Sequence, residues 1–256
     1  MESNGETLYL ITGASSAVAQ EFLLRLDADL AASDQRCAVV AQYNSSLEKL
    51  TALSDKLQRV TLYPEHCDAS TVEDGQRFAC RIAQNYPPVD NILHTAAMRF
   101  SYTRLKDFDA EGFTRAMNVN VTFAATLAST FVPQMLKRKG HICKIVFVLS
   151  ECVFGVPPKH MTSYVTVKTA LLGLAKSLAS DCAGRNVRVN AVSPSMMQTP
   201  FLSNIDPRIV EMTQQSSAMR RLLTPSELAP SIAFLFGHGS DWMNGANLNL
   251  TGGGVM

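Results

Sequence analysis

The chain has 256 residues, 46% of them hydrophobic, and its 23 basic residues nearly balance its 22 acidic ones. This length and composition suit one large domain with a full core, so residues 1–256 are expected to form a single domain. The balanced charge argues against a nucleic-acid or membrane-surface partner, and no apolar run is long enough to span a bilayer.

Short apolar runs alternate with segments of helical period along the whole chain. Buried strands are predicted at 8–11, 37–41, 60–63, 91–94, 144–150, 187–190 and 247–250. Helices are predicted at 17–26, 47–57, 72–85, 111–136, 164–183 and 226–237. Apolar strands separated by helices are typical of parallel βαβ units. The pattern therefore predicts an α/β protein with one doubly wound parallel sheet of about seven strands.

The least regular segment is 193–223, which is rich in Ser, Met and Gln and contains several prolines. It follows the carboxyl end of a predicted strand, and doubly wound sheets bind their ligands at that edge. We expect this segment to be a mobile substrate loop within the domain.

Six cysteines are scattered along the chain, with no C-x-x-C pair and no histidine at ligand spacing. This pattern indicates neither a disulfide framework nor a zinc site, so no metal is expected. The first seven residues, M-E-S-N-G-E-T, are polar and unlike a secretory signal. Together these observations predict a cytoplasmic protein with reduced thiols.

The first predicted strand leads into the first helix through a turn of small residues. Residues 12–19 read T-G-A-S-S-A-V-A. Such a turn directs backbone N–H groups and the positive end of the helix dipole at an anion. A dinucleotide pyrophosphate is the anion that strand–turn–helix units of this kind bind.

Tyr164 and Lys168 are four residues apart on a predicted helix, so both project from one face. An ammonium beside a phenol is expected to lower the phenol pKa, and a phenol tuned in this way can exchange a proton with a substrate oxygen. An amphipathic helix that carries the two residues by chance is the alternative interpretation of this spacing.

In chain order, these motifs resemble those of the short-chain dehydrogenase/reductase family. The first turn is similar to its T-G-x-x-x-G-x-G motif, and residues 94–97, H-T-A-A, stand where the family has N-N-A-G. Asp68, Asn120 and Ser150 match single family positions, and Tyr164 with Lys168 matches Y-x-x-x-K. Residues 190–199 and 251–254 resemble the N-x-x-x-P-G…T segment and the terminal D-G-G. The resemblance implies a Rossmann-like fold and an NAD(P)-dependent oxidoreductase.

The resemblance also implies a role for each catalytic residue. Tyr164 would exchange the proton with the carbonyl or alcohol oxygen, and Ser150 would orient that oxygen. Lys168 would lower the Tyr164 pKa and bind the nicotinamide ribose, and Asn120 would hold a water that links Lys168 to solvent. The implied cofactor-binding residues are Gly13, Ser15, Ser16, Ala17, Val18, Tyr43, Asn44, Ser45, Asp68, Ala96, Tyr164, Lys168, Pro194 and Thr199.

Several residues depart from the family pattern. Ala17 and Ala19 replace two glycines of the turn, and the Ala17 methyl group is expected to weaken or shift cofactor binding. His94 and Thr95 replace two asparagines, and we expect neighbouring backbone groups to satisfy the His94 ring. Glu151 follows Ser150, and because side chains alternate past a strand end it is expected to point away from the carbonyl site.

The end of the second predicted strand favours NADP(H) over NAD(H). Residues 41–46, A-Q-Y-N-S-S, lack the acidic residue that holds the ribose 2′-hydroxyl of NAD. Ser45 and Ser46 are placed to hydrogen-bond a 2′-phosphate, and Lys49 lies within one helical turn of them.

The substrate is expected to be a small-molecule ketone, with a carrier- or CoA-bound β-ketoacyl compound favoured, because residues 98–106 resemble the corresponding loop of 3-oxoacyl-carrier-protein reductases. The basic run 137–139 would then meet an acidic carrier protein, although basic residues at a helix C-terminus are also simply dipole-favoured. Two alternatives remain open: an alcohol, sugar or steroid dehydrogenase, and a member that has lost strong cofactor binding and acts as a regulatory partner.

The resemblance further implies a dimer or homotetramer that packs helices 111–136 and 164–183 against symmetry mates.

Overall fold

Seven parallel strands form a sheet at the centre of the protein, in the order β3-β2-β1-β4-β5-β6-β7. The structure is a computed structural model that describes residues 6–254, so most of the polar N-terminal segment considered above lies outside the described residues. The strands are β1 Thr7–Thr12, β2 Cys37–Tyr43, β3 Val60–His66, β4 Asn91–His94, β5 Cys143–Val148, β6 Val187–Pro194 and β7 Asn247–Leu250. The predicted single, doubly wound, Rossmann-like sheet is confirmed.

Helices cover both faces of the sheet. They are α1 Ala17–Ala32, α2 Leu47–Ser54, α3 Val72–Asn85, α4 Ala110–Met117, α5 Phe123–Met135, α6 Thr162–Asp181, α7 Pro207–Ser216 and α8 Pro225–Phe236. Phe78 of α3, Phe131 of α5 and Leu171 of α6 pack in the core of one face. Phe22 of α1 and Ile232 of α8 pack in the core of the other. Burial on both faces explains why the strands are apolar throughout rather than alternating.

The strand order reverses between β1 and β4, and this reversal creates the site. The chain builds outward from β1 through β2 to β3, and then returns to place β4 on the other side of β1. The loops after β1 and β4 therefore diverge at the carboxyl edge of the sheet and leave a crevice, which is where open α/β sheets bind ligands.

One predicted helix, 111–136, is divided in the structure. A turn of π-helix, Asn118–Thr122, separates α4 from α5 and contains Asn120. A single π turn adds one residue without changing the apolar character of the segment, so the hydrophobic period gives no sign of it.

The segment 193–223 contains regular structure that the sequence did not predict. It contains a 3₁₀ turn, Pro200–Asn204, and the helix α7, Pro207–Ser216. Asp206 caps α7 by accepting a hydrogen bond from the backbone N–H of Arg208, and Pro207 occupies the first turn. α7 has no buried residue, so its apolar period was too weak to reveal it.

All six cysteines are free thiols, and only Cys80 is exposed. Within residues 6–254, no helix combines the length and the apolar character that crossing a membrane requires.

Candidate active site

A cavity of about 900 Å³ runs along the carboxyl edge of the sheet. It extends from the turn after β1, past the ends of β4 and β5, to the loop after β6. This volume is at the upper end of the range for small-molecule and cofactor sites. Thirteen of the fourteen residues predicted to bind the cofactor line it, namely Gly13, Ser15, Ser16, Ala17, Val18, Asn44, Ser45, Asp68, Ala96, Tyr164, Lys168, Pro194 and Thr199.

The turn after β1 is built around Gly13. Its φ of +61° lies in the left-handed region, and a Cβ placed there would lie 2.9 Å from the backbone of Ala96. The Gly13 N–H donates to Oε1 of Gln42 over 2.7 Å, while Nε2 of Gln42 donates to the Cys67 carbonyl over 2.8 Å. Gln42 thus ties the turn to β2 and to the end of β3. It is a site residue that the motifs did not reveal.

The first turn of α1 offers a binding site for an anion. Ser16 caps the helix by accepting a hydrogen bond from the Ala19 N–H over 3.2 Å. Ala17 and Val18 follow at the helix start and line the cavity, and N–H groups at this position have no partner within a helix. The helix dipole adds positive potential here. The close approach at Gly13 and these donors fit a dinucleotide pyrophosphate.

Thr95, which stands in place of a family asparagine, fastens this turn to β4. Its hydroxyl donates to the Thr12 carbonyl over 2.7 Å, and it lies 3.1 Å from the Ser16 hydroxyl. The substituted residue therefore supports the turn by side-chain hydrogen bonds of its own.

The far end of the cavity is polar. Asn44, Ser45, Ser46 and Lys49 line it, together with Asp68, whose carboxylate accepts the Ser70 N–H over 3.0 Å. Tyr43, predicted to contact the cofactor, does not line the cavity, and its ring packs edge-on against His66 instead. The reason is strand alternation: Gln42 points to the cavity, so the next side chain points the other way.

Ser150, Tyr164 and Lys168 all line the cavity, and the side chains of Ser150 and Tyr164 are hydrogen-bonded. Ser150 follows β5, and the other two lie in the first turns of α6. The Lys168 ammonium is buried and donates to the Val148 carbonyl over 3.0 Å. Burial lowers the pKa of Lys168 to about 8, an effect that the neighbouring Cys152 partly offsets.

The pKa of Tyr164 shifts in the direction opposite to the one expected. Burial raises it, and the neighbouring Cys152 and Glu151 raise it further, while a hydrogen bond with Ser150 opposes them. The predicted lowering by Lys168 was wrong for the protein without ligand, because desolvation of the phenolate outweighs the other effects. The phenol is thus protonated at neutral pH.

Asn120, predicted as catalytic, is buried in the π turn and does not line the cavity. Its side-chain amide donates to the Ala116 carbonyl over 2.9 Å, and its own carbonyl lies 2.9 Å from Nε2 of His94. Its Oδ1 is buried and accepts no hydrogen bond from the described residues.

His94 is a buried, neutral bridge between β1 and the π turn. Its Nδ1 lies 2.8 Å from the Thr12 hydroxyl, and Nε2 must donate because its partner, the Asn120 carbonyl, only accepts. Burial, together with the Lys168 charge, lowers the pKa of His94 to about 3. Neighbouring groups satisfy the ring, as expected from the sequence.

Aromatic rings from two loops cover Tyr164, which the motifs did not predict. The Phe100 ring stacks on Tyr164, with centroids 4.1 Å apart and planes 17° apart. Tyr102 and Phe201 lie 5.9 Å from Phe100, and both also line the cavity. The only signal in the sequence was the presence of aromatic residues in loops that follow strand ends.

Glu151 lines the cavity, and the prediction that it points away was wrong. The chain turns into a 3₁₀ helix, Glu151–Val153, directly after Ser150, so strand alternation no longer applies. The carboxylate accepts a hydrogen bond from the Met196 N–H, and burial raises its pKa.

One group of potential metal ligands, Asp90, His141 and Cys143, lies at the opposite edge of the sheet. The Arg138 guanidinium lies 2.7 Å from the Asp90 carboxylate and already supplies a positive charge there. Arg138 belongs to the basic run 137–139, so this run is also at the edge remote from the cavity. β5 separates the two edges by about 20 Å.

Two comparisons of sequence relate the chain to known proteins. The family model described as enoyl-(acyl carrier protein) reductase matches residues 27–254. Dehydrogenase/reductase SDR family member 4 of Bos taurus is 31% identical over 191 residues, which make up 74% of this chain and 67% of that protein. Nodulation protein G of Rhizobium sp. (strain N33) is 26% identical over 251 residues, or 96% of each chain.

Solved structures share the fold. A 3-ketoacyl-(acyl-carrier-protein) reductase from Brucella melitensis complexed with NADH superposes with a TM-score of 0.82, at 23% identity over 98% of each chain. A short-chain dehydrogenase/reductase from Serratia marcescens gives a TM-score of 0.84, at 21% identity over 96% of this chain and 97% of that one.

Proposed function

The chain belongs to the short-chain dehydrogenase/reductase family of oxidoreductases, and we propose that it reduces a ketone to a secondary alcohol with NADP(H). One observation carries this proposal: Ser150, Tyr164 and Lys168 line the same cavity as the anion-binding turn at Gly13. A nicotinamide dinucleotide with its pyrophosphate at the turn would extend along this cavity toward Tyr164, where a ketone would be bound.

The residues around Tyr164 can protonate a ketone oxygen. A bound nicotinamide supplies the hydride to the carbonyl carbon. The Tyr164 phenol is protonated at neutral pH, because burial raises its pKa, and it donates this proton to the oxygen. The Ser150 hydroxyl hydrogen-bonds the same oxygen and stabilises the charge that develops on it.

Lys168 stabilises the phenolate that remains after proton transfer. Burial lowers the pKa of Lys168 only to about 8, so the ammonium persists at neutral pH. The Asn120 carbonyl, to which family resemblance assigns a proton-relaying water, is already in contact with Nε2 of His94.

The preference for NADP(H) is supported by the polar end of the cavity. Ser45, Ser46 and Lys49 line it, and no acidic residue ends β2 to bind a ribose 2′-hydroxyl. Lys49→Gln should weaken NADPH binding by about five- to tenfold and leave NADH binding unchanged. Calorimetric titration of each cofactor measures this, with Lys56→Gln, at an exposed position just after the end of α2, as the matched control. Equal losses for both cofactors, or no loss for either, would contradict the assignment.

A carrier- or CoA-bound β-ketoacyl thioester is the ketone class that the loop 98–106 and the Brucella melitensis relative support. The basic run 137–139 does not support binding of a carrier protein at the cavity, since Arg138 lies at the other edge of the sheet. A carrier protein would instead have to dock at the cavity mouth, where Arg99 and Arg115 lie.

A panel of ketones and β-keto thioesters, assayed with NADPH and NADH, tests the proposed function. We expect oxidation of NADPH with at least one carbonyl compound and slower oxidation of NADH. If neither cofactor binds at millimolar concentration, the chain has lost enzymatic function and acts as a binding partner. Turnover of alcohols, sugars or steroids alone would point to a dehydrogenase instead.

We also propose a homo-oligomer, dimer or tetramer, in a reducing cytoplasmic compartment. Partly exposed apolar residues on α5 and α6, among them Val132, Leu172 and Leu178, support packing of these helices against a second copy. The six free thiols, five of them buried, support the compartment.

A further inference from the structure

Glu151 brings a negative charge into the part of the cavity where the ketone would be reduced. It follows Ser150 directly, lines the cavity and accepts a hydrogen bond from the Met196 N–H. Its charge is close enough to raise the pKa of both Tyr164 and Tyr102. Within residues 6–254 no lysine or arginine forms an ion pair with it. A partly buried carboxylate with one hydrogen bond lacks the partner that buried charges normally have.

Aromatic rings surround the same space. Phe100 stacks on Tyr164 at 4.1 Å, and Phe201 lies 5.9 Å from Phe100 and 6.5 Å from Tyr164. Tyr102 extends this group at 5.9 Å from Phe100. The faces of such rings attract cations, most of all cations without a tight hydration shell. A carboxylate beside several rings is thus a combination that suits an organic ammonium ion.

The other charged side chains that line the cavity have surroundings of their own. Lys49 and Asp68 are at the polar end, beyond the turn at Gly13. Arg115 lies within 4.0 Å of carboxylate oxygens of Asp109 and Glu111. Lys168 donates to a backbone carbonyl and Arg99 is exposed. The Glu151 carboxylate is therefore an anionic group close to Tyr164, and the Lys168 ammonium is a cationic group that lines the same cavity.

We propose that this site selects ketones that carry a positively charged nitrogen, with Glu151 as the ion-pair partner and the rings of Phe100, Tyr102 and Phe201 as the walls around the cation. This inference rests on the ketone reduction proposed above, and it favours a small cationic ketone over the β-ketoacyl thioester considered there. The reaction itself is unchanged: the carbonyl carbon gains a hydride, the oxygen gains the Tyr164 proton, and the nitrogen takes no part.

A pair of isosteric ketones tests the proposal. N,N-dimethyl-4-oxopiperidinium carries a permanent charge, and 4,4-dimethylcyclohexanone replaces the charged nitrogen by carbon. The two ketones differ in intrinsic reactivity, so the quantity to compare is the ratio of their kcat/KM values in different variants. We expect Glu151→Gln to lower the ratio of charged to neutral ketone by about tenfold, mainly through KM. The matched control, Glu73→Gln, removes an exposed carboxylate on α3 outside the cavity and should leave the ratio unchanged.

Binding without turnover separates this inference from the proposed function. N,N-dimethylpiperidinium lacks a carbonyl, and its affinity for the NADPH complex can be measured by calorimetry. We expect binding by the wild type and the Glu73→Gln control, and about tenfold weaker binding by Glu151→Gln. An unchanged ratio and unchanged affinity in Glu151→Gln would overturn the inference while ketone reduction stands. Equal loss of activity toward both ketones would also overturn it, because Glu151 would then support the fold or the chemistry and not selectivity.

Discussion

At the scale of single residues, the site keeps the family's proton-transfer group and differs in what surrounds it. Tyr164, Lys168 and Ser150, the predicted catalytic residues, line one cavity. The phenol pKa is nevertheless raised, because burial, Cys152 and Glu151 outweigh the groups that would lower it.

His94 should make the stability of the protein depend on pH. Burial lowers the pKa of His94 from its ordinary value near 6.5 to about 3, so between these values the unfolded chain binds a proton that the folded protein does not. Stability is therefore full above about pH 6.5 and is lost as the pH falls toward about 3. The loss reaches at most about 1.4 kcal/mol per pH unit for one group.

Urea unfolding at about pH 7 and about pH 4 measures this dependence. We expect His94→Asn to lose less free energy of unfolding over this interval than the wild type. His160→Asn is the control, since His160 is exposed and its φ of +68° suits asparagine. A pH dependence that is the same in wild type and His94→Asn would show that His94 is not a buried neutral group.

Motif spacing identified site residues that belong to local sequence patterns. It missed site residues that reach the cavity through contacts between distant segments. Gly13, Ser150 and Tyr164 belong to recognisable patterns. Gln42 fastens the turn by two hydrogen bonds whose partners are 29 and 25 residues away along the chain. Phe100 meets Tyr164 only because two loops converge. Contacts between distant segments leave no local pattern, so neither residue could be predicted.

At the scale of elements, the apolar runs predicted every strand. The prediction from sequence missed one irregular turn within a helix and one short helix. Strands β4 and β7 begin and end where predicted, because polar or turn residues flank short apolar runs on both sides. The π turn at Asn118–Thr122 and the helix α7 were missed. The first has an ordinary apolar composition, and the second lacks a buried face, so the hydrophobic period carries no information about either.

The helix α7 should open more readily than the helix that carries Tyr164. α7 buries none of its residues, whereas α6 buries Val167, Lys168, Leu171, Ala175 and Ala179. Few buried contacts mean a low free energy of local opening. We expect amides of 207–216 to exchange hydrogen faster than those of α6, and to slow when NADPH and an alcohol product are both present.

Hydrogen exchange read by mass spectrometry tests this and, with it, the prediction that 193–223 is mobile. Peptides from α3, which does not line the cavity, serve as an internal control. Equal protection of the amides of α7 and α6 without ligand would contradict the expectation. Unchanged exchange of the α7 amides in the presence of NADPH and an alcohol product would also contradict it.

At the scale of the whole molecule, assembly is the next property to measure. We expect light scattering to give two or four times the chain mass of 27.9 kDa. Leu172→Glu, on a partly exposed apolar position of α6, should shift the mass toward the monomer because it places a charge in the proposed interface. Leu24→Glu on α1, 36% exposed, is the control and should not. A monomeric wild type would refute the proposed oligomer.

The central claim is that Tyr164 gives the proton while a nicotinamide cofactor gives the hydride to a ketone in this one cavity. Incubation with NADPH deuterated at the transferred position, followed by mass spectrometry of the alcohol, tests both parts together. We predict that wild type transfers one deuterium to the carbonyl carbon. Tyr164→Phe should bind NADPH as tightly and turn over about 10²- to 10⁴-fold more slowly. An alcohol without deuterium, or full activity of Tyr164→Phe, would contradict the account.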